Sequence, residues 1–424
     1  VALAATLGPS APPPSASSGW LDRVWDRLQA PREEEGRTGA LAALFPGDGP
    51  LGLFHRHSGH QDGEETDPEE AGEGEDTDPG PGPVKGNQRF LMLLCRFADA
   101  AGYTPKPASY FERMLGSEYP GLDHYYREQS YNTLTLAGSR VAGWYTLPRP
   151  LSGYRKHGRH FDESRVFHDC AALAASDVSF QNYQGVIVVM NEAPSDAWDG
   201  LSGTETLSVG GEEKEFSVVW LTPVGKGYSQ GVAAHELGHA FGMDHSSGPY
   251  GDAYDSRWDV MSDLYATENS QYDYIGPGTI AYHKMLAGWI PPSRKYVAPP
   301  DSRRTLRLER LSRPRPGGGY LMAQIPLGPG STHFYTVEAR MRTGYDVGVP
   351  GDAVVIHDVD TTRADLQAQV VDEDGDGDPN DNGAMWTPGK TFSDPSNGVR
   401  ISVERATSTG FVVTISRTGK SDGS

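Results

Sequence analysis

The sequence predicts an α+β domain, built as a mixed sheet with helices, followed by an all-β, sandwich-like C-terminal domain. Three observations carry this. Between residues 89 and 241, continuous apolar runs of strand length alternate with amphipathic stretches of helical spacing, the interleaving expected of a mixed architecture. From about residue 296, short alternating segments recur between Gly/Pro turns, as in packed antiparallel sheets. The chain also carries 52 Gly and 32 Pro in 424 residues, about a fifth of its length, against a usual share of about 12%. That points to long loops and linkers rather than a helical bundle.

A chain of this length exceeds one ordinary core. It divides into an N-terminal extension at 1–86, an α+β domain at 87–295, a β domain at 296–418 and a tail at 419–424. The first seven residues are small and apolar, either the end of a signal peptide or a plain apolar terminus. Residues 9–18 are rich in Pro, Ser and Ala. Trp20, Leu21, Val24, Trp25 and Leu28 repeat at the spacing of one short amphipathic helix. The Asp/Glu/Gly/Pro-rich stretch 62–83 cannot bury enough apolar surface to offset its ordering entropy. The extension therefore reads as a pro-segment with a disordered acidic linker. His55, His57 and His60 within it read as a polar patch rather than a metal site.

Regular structure begins near residue 89. The apolar run 90–97 predicts a buried central strand. Residues 110–115 and 122–129 read as helices, 133–145 as a β segment, and 163–176 as a helix with Val166, Phe167, Cys170, Ala171 and Leu173 on one side. Residues 185–190 and 216–221 predict two further strands, the second supported by the β-branched pair Val218-Val219. A helix is expected over 229–241, ended by Gly242. The β domain is expected from segments at 305–308, 320–325, 334–339, 353–359, 399–403 and 411–415.

Composition excludes some functions. A net charge of -20 repels phosphate backbones, so nucleic acid is not an expected partner. No run of 18 apolar residues exists to span a membrane. Two cysteines, Cys95 and Cys170, either pair in an oxidising compartment or stay buried as thiols. Neither belongs to a CxxC pair, so a thiolate zinc site is excluded.

The chemistry concentrates in HELGHAFGMDH, residues 235–245. His235 and His239 lie one helical turn apart, so both imidazoles leave the same face and can reach one zinc. Glu236 points to the flank, within reach of a metal-bound water. Gly242 permits a left-handed turn, after which His245 can supply a third nitrogen. Three neutral His leave a fourth position open, the arrangement of a catalytic zinc. An HExxH alone arises by chance in about one chain in a hundred of this length, and the added Gly and His lower that roughly a thousandfold.

With Met261 in the run WDVMS (258–262), this constellation resembles the metzincin metallopeptidases, in which a methionine turn lies beneath the three histidines. Some metzincins add a Tyr ligand two residues past the Met; here that position is Asp263, with Tyr265 further on. Beyond the motif, the chain resembles the immune inhibitor A-like family of secreted bacterial metallopeptidases. The resemblance rests on FLMLLCRFAD (90–99), LDHYYREQSYNTLTLAG (122–138) followed by Gly143-Trp144-Tyr145, the runs 258–262 and 280–289, and EARMRTGYDVGVPGDAVVIHDVD (338–360). It spans roughly 88–415. It implies a metzincin-like catalytic domain, a removable pro-segment, and an extracellular protease acting on protein or peptide substrates. The family often has Asp as third ligand, so Asp244 stands beside His245 as a competitor.

The expected reaction is peptide hydrolysis, with Glu236 taking a proton from a zinc-bound water and passing it to the leaving amine. The substrate is expected to lie as an added strand on an exposed sheet edge, with 216–221 as the candidate. A catalytically silent secreted binding protein of the same fold is the alternative, disfavoured by the presence of Glu236. A thermolysin-type site with a distant ligand such as Glu268 is disfavoured by Gly242 and His245. Asp372, Asp374, Asp376 and Asp378, with Gly377, suit either calcium or a solvated acidic loop. The loop is no EF-hand, because its twelfth position is Gly383. The oligomeric state is not encoded legibly.

Overall fold

In the computed structural model, which describes residues 83–156, 160–194, 198–328 and 330–418, the run FLMLLCR forms strand β1 (Phe90–Arg96). The extension through residue 82, with its expected helix, acidic stretch and histidines, and the tail 419–424 lie outside the described residues. A strand apolar at every position as far as Cys95 must be covered on both faces. Helices α1 (Ala108–Leu115) and α2 (Leu122–Gln129) follow it, then β2 (Arg140–Thr146) and α3 (Glu163–Ala174). Next come β3 (Gly185–Met190), β4 (Gly200–Val209), β5 (Glu212–Leu221), α4 (Gln230–Ala240) and α5 (Ala281–Leu286).

The five strands form one sheet in the order β2-β1-β3-β5-β4. The first four run parallel, and β4 is antiparallel to β5. Side chains alternate across it. Met92, Leu94, Ile187, Val189, Val219 and Leu221 face the core shared with α1, α2 and α4. Leu91, Leu93, Cys95, Val186, Val188 and Val218 face α3. On that second face Cys95 and Cys170 are joined by a disulfide, their Cα atoms 6.2 Å apart.

Two expectations are corrected here. Residues 216–221 lie inside β5, paired to β3 on one side and β4 on the other, so they are not a sheet edge. The edge near α4 is β4, GLSGTETLSV, whose few apolar residues did not announce a strand. Its signal was Gly210-Gly211, both at positive φ (68° and 90°), the two-residue turn that closes a hairpin. The β segment expected over 133–145 is instead a two-residue strand, Leu134–Thr135, and the separate β2.

The C-terminal part is all-β. A four-stranded antiparallel sheet runs Ser302–Glu309, Gly410–Arg417, Val399–Thr407, Thr391–Asp394 in spatial order. It shares an apolar core with a six-stranded sheet through Leu308, Ile401, Val413, Ile325, Val337 and Ile356. The six-stranded sheet has the order Ser246–Ser247, Ala368–Val370, Ala353–Asp360, His333–Arg340, Met322–Pro326, Lys295–Val297. Its first strand immediately follows His245 and pairs in parallel with Ala368 and Gln369. Its other face packs on Trp258, Ile280, Tyr282 and Ile290.

Between this sheet and the segment 258–281 lies Arg340, fully buried, with all five N–H donors used. Nε and Nη2 bind Asp346 at 3.0 and 2.6 Å, Nη1 binds Glu338 at 3.1 Å and the carbonyl of Trp258, and Nη2 also binds the Gly278 carbonyl at 3.0 Å. Glu338 accepts from the Ala281 amide at 2.6 Å, and Asp346 from the Gly278 amide at 2.9 Å. Burial pushes the Glu338 carboxyl up to about 7, against the pull of Arg340. Substituting Arg340→Ala strands two carboxylates in the interior. The expected cost is about 3–5 kcal/mol of unfolding free energy, measurable as a lowered urea midpoint; a change below about 1 kcal/mol would contradict this account.

Candidate metal centre

Helix α4 starts where Ser229 caps it, its hydroxyl accepting from the Val232 amide at 3.2 Å. It ends in a glycine turn. Gly242, at φ 78°, donates to the His239 carbonyl at 2.8 Å, and Met243 donates to the Gly238 carbonyl at 3.0 Å. These are the two reversed bonds of a Schellman motif. The turn sends the chain back past the helix, and the Ser246 amide then bonds the Met261 carbonyl at 3.2 Å. Met261 is fully buried beneath the helix. A Cβ at Gly238 would lie 2.3 Å from the Met261 sulfur, so the bare backbone between His235 and His239 is what lets that methionine close the floor.

The three histidines expected as ligands are brought together, all buried. Nε2 of His239 lies 3.1 Å from Nε2 of His235 and 3.2 Å from Nε2 of His245. The opposite nitrogens fix the tautomers. His235 Nδ1 donates to the Val260 carbonyl and His239 Nδ1 to the Met243 carbonyl, each at 2.8 Å. His245 Nδ1 donates to the Asp365 carboxylate at 3.2 Å. Since these acceptors carry no proton to share, each Nδ1 carries a hydrogen, which leaves Nε2 as the ligand nitrogen of a neutral ring. Burial, with His245 adding to it, pushes His235 down to about 3, so its ring is neutral. Three lone pairs converging at this spacing repel unless a cation lies among them. Tetrahedral bonds of 2.0–2.1 Å place nitrogens about 3.3–3.4 Å apart, so the set fits a divalent ion of zinc's size and softness.

Glu236 is buried beside this group. Its Oε2 has no protein hydrogen-bond partner, and the nearby Ser202 hydroxyl on β4 favours the charged carboxylate. Burial pushes its carboxyl up to about 8, and the nearby Asp199 adds to the rise. The edge strand makes room for it: a Cβ on Gly200 would stand 2.5 Å from Glu236 Oε1. Tyr254 completes the surroundings. Its hydroxyl lies 3.5 Å from His245 Nε2, its ring 5.8 Å from that of His235, and its backbone is at φ 64°. Non-glycine residues held at positive φ cluster at functional sites. Sequence reading missed Tyr254, Ser202 and Asp365, none of which has a local pattern.

Other candidates fall elsewhere. Asp244 is not part of the histidine group. Glu268 is exposed on a hairpin, Thr267–Asn269 with Asp273–Ile275. The acidic run does gather a second group that could hold a metal ion, but its members are Asp372, Asp374, Asp376 and Asp381. Asp378, expected in this group, is not a member of it; its Oδ1 accepts from the Asn380 amide at 2.9 Å.

High-affinity zinc uptake by the purified chain is expected to saturate at one equivalent, and His239→Ala, which removes the central nitrogen, to abolish it. Titration against a chromogenic chelator checks this; undiminished zinc in the variant would refute the site. Compared with known proteins, the chain matches no family model and no curated relative.

Proposed function

We propose that the chain is a secreted zinc-dependent endopeptidase. The observation that carries this is the convergence of three imidazole lone pairs next to a buried carboxylate with one free oxygen. The resemblance to the immune inhibitor A-like metallopeptidases agrees with it, and the Cys95–Cys170 disulfide suits an oxidising, extracellular setting.

His235, His239 and His245 would hold the zinc, which when bound acidifies a water and polarises a carbonyl. Glu236 accepts the proton of the attacking water and delivers it to the amine as the C–N bond breaks. Tyr254 donates its hydroxyl hydrogen to the negative oxygen that develops on the former carbonyl. The peptide pairs with the free edge of β4, where backbone groups and the small side chains of GLSGTETLSV leave space for an added strand.

The deciding experiment is casein hydrolysis by the wild-type chain and by Glu236→Ala, each with and without a zinc chelator. Loss of the base is expected to cost about 10²–10⁴-fold in rate, and the chelator to abolish what remains. Equal rates in all four samples would leave the fold a silent binding protein. We further propose that Asp372, Asp374, Asp376 and Asp381 bind calcium. Calcium at about 100 times its Kd should then stabilise the fold by about 2.7 kcal/mol, seen as a raised melting temperature that Asp381→Ala removes. An unmoved melt at millimolar calcium would rule the site out.

A further inference from the structure

Of the three candidate ligands, His245 is held differently. His235 and His239 are oriented by backbone carbonyls, Val260 and Met243, that belong to the turns around α4. His245 is oriented by a side chain, Asp365, which lies 120 residues further along, in the loop between the β-domain strands Ala353–Asp360 and Ala368–Val370. That carboxylate grips the residue twice. It accepts from Nδ1 at 3.2 and 3.3 Å through its two oxygens, and from the His245 amide at 3.3 Å. It is itself anchored by the Leu366 amide at 2.9 Å, with Leu366 in the left-handed region at φ 54°. The two segments are then fastened side by side, since Ser246 and Ser247 pair in parallel with Ala368 and Gln369.

We propose that Asp365 is a positioning residue of the metal centre, so that the β domain supplies part of the centre rather than flanking it. This rests on the metal-centre reading above. The chemistry is direct. A neutral imidazole offers its Nε2 lone pair only while Nδ1 holds the hydrogen, and an acceptor at Nδ1 selects that tautomer and locks the ring plane. A carboxylate does more than a carbonyl, because its charge also makes the ring a stronger donor to a cation. Without it, His245 sits on the chain past the helix end with no acceptor for Nδ1 and is free to rotate or change tautomer. The site would then be a two-histidine site with a loose third member.

The test uses the full chain with Asp365→Ala and Asp365→Asn. Zinc affinity is read by chelator competition, the ligand field by the visible spectrum of the cobalt-substituted protein, and the fold by the melt of the metal-free protein. Asp365→Ala is expected to weaken zinc binding about 10–100-fold and to change the cobalt spectrum, with the metal-free melt unmoved. Asp365→Asn keeps an acceptor oxygen without the charge and should fall between the two. Zinc affinities and cobalt spectra equal to wild type in both variants would overturn the proposal while leaving the metal centre standing. If the alanine variant melts early, the isosteric asparagine variant decides alone: intermediate affinity supports the proposal and wild-type affinity overturns it. A wild-type chain that takes up neither zinc nor cobalt would overturn the metal-centre reading and this inference with it.

Discussion

Three buried imidazoles turn ring nitrogens toward one point, His239 Nε2 lying 3.1 and 3.2 Å from the other two, and this costs free energy unless a cation lies among them. The surrounding structure is arranged to keep them there. Each ring gives its hydrogen to a fixed acceptor on the far side, so none can relieve the repulsion by turning round. The glycine turn after α4 supplies the carbonyl for one ring and the reversal of direction for another. The bare Gly238 backbone admits the methionine sulfur that closes the floor beneath. A cradle preset in this way avoids reordering its ligands when metal arrives.

Beneath that cradle the interior is ionic. Arg340, Glu338 and Asp346 are fully or almost fully buried, and their bonds end on the backbone at Trp258, Gly278 and Ala281. Buried charges of this sort seldom contribute much net stability, because desolvation offsets their attraction. What they do is fix geometry. The backbone groups they hold belong to the stretch that carries Met261 and the Val260 carbonyl, and so the acceptor of His235. Asp259, paired to His283 at 2.8 Å and accepting from Ser246 at 2.7 Å, continues the same scaffold toward the strand that follows His245.

Much of this was legible in the sequence, because the information was local. The three histidines and Glu236 come from 11 consecutive residues, 235–245, and helical periodicity plus one glycine suffices to bring them together. The central strands were legible because full burial leaves runs such as FLMLLCR and GVIVVM with almost no polar positions. Strand β4 was not, because most of its positions are Thr, Ser, Gly and Glu, and only Leu201, Leu207 and Val209 pack against the core. The same error made its inner neighbour look like the edge. Tyr254 and Asp365 reach the site through tertiary folding alone, and nothing about YD or AD as dipeptides marks them. In the acidic loop the alternation of Asp pointed to a carboxylate group that could hold a metal ion, but Asp381 stands in that group where Asp378 was expected.

The pairing of Ser246–Ser247 with the strand from Ala368 makes the six-stranded sheet common property of both halves of the chain. Such a joint resists recombination. A lineage could not trade the C-terminal half for an unrelated module, as multidomain enzymes commonly do, without unzipping the segment next to its own third histidine. The two halves are therefore expected to have been inherited together, and a useful excision boundary for engineering would lie past residue 417 rather than at the apparent junction near 295.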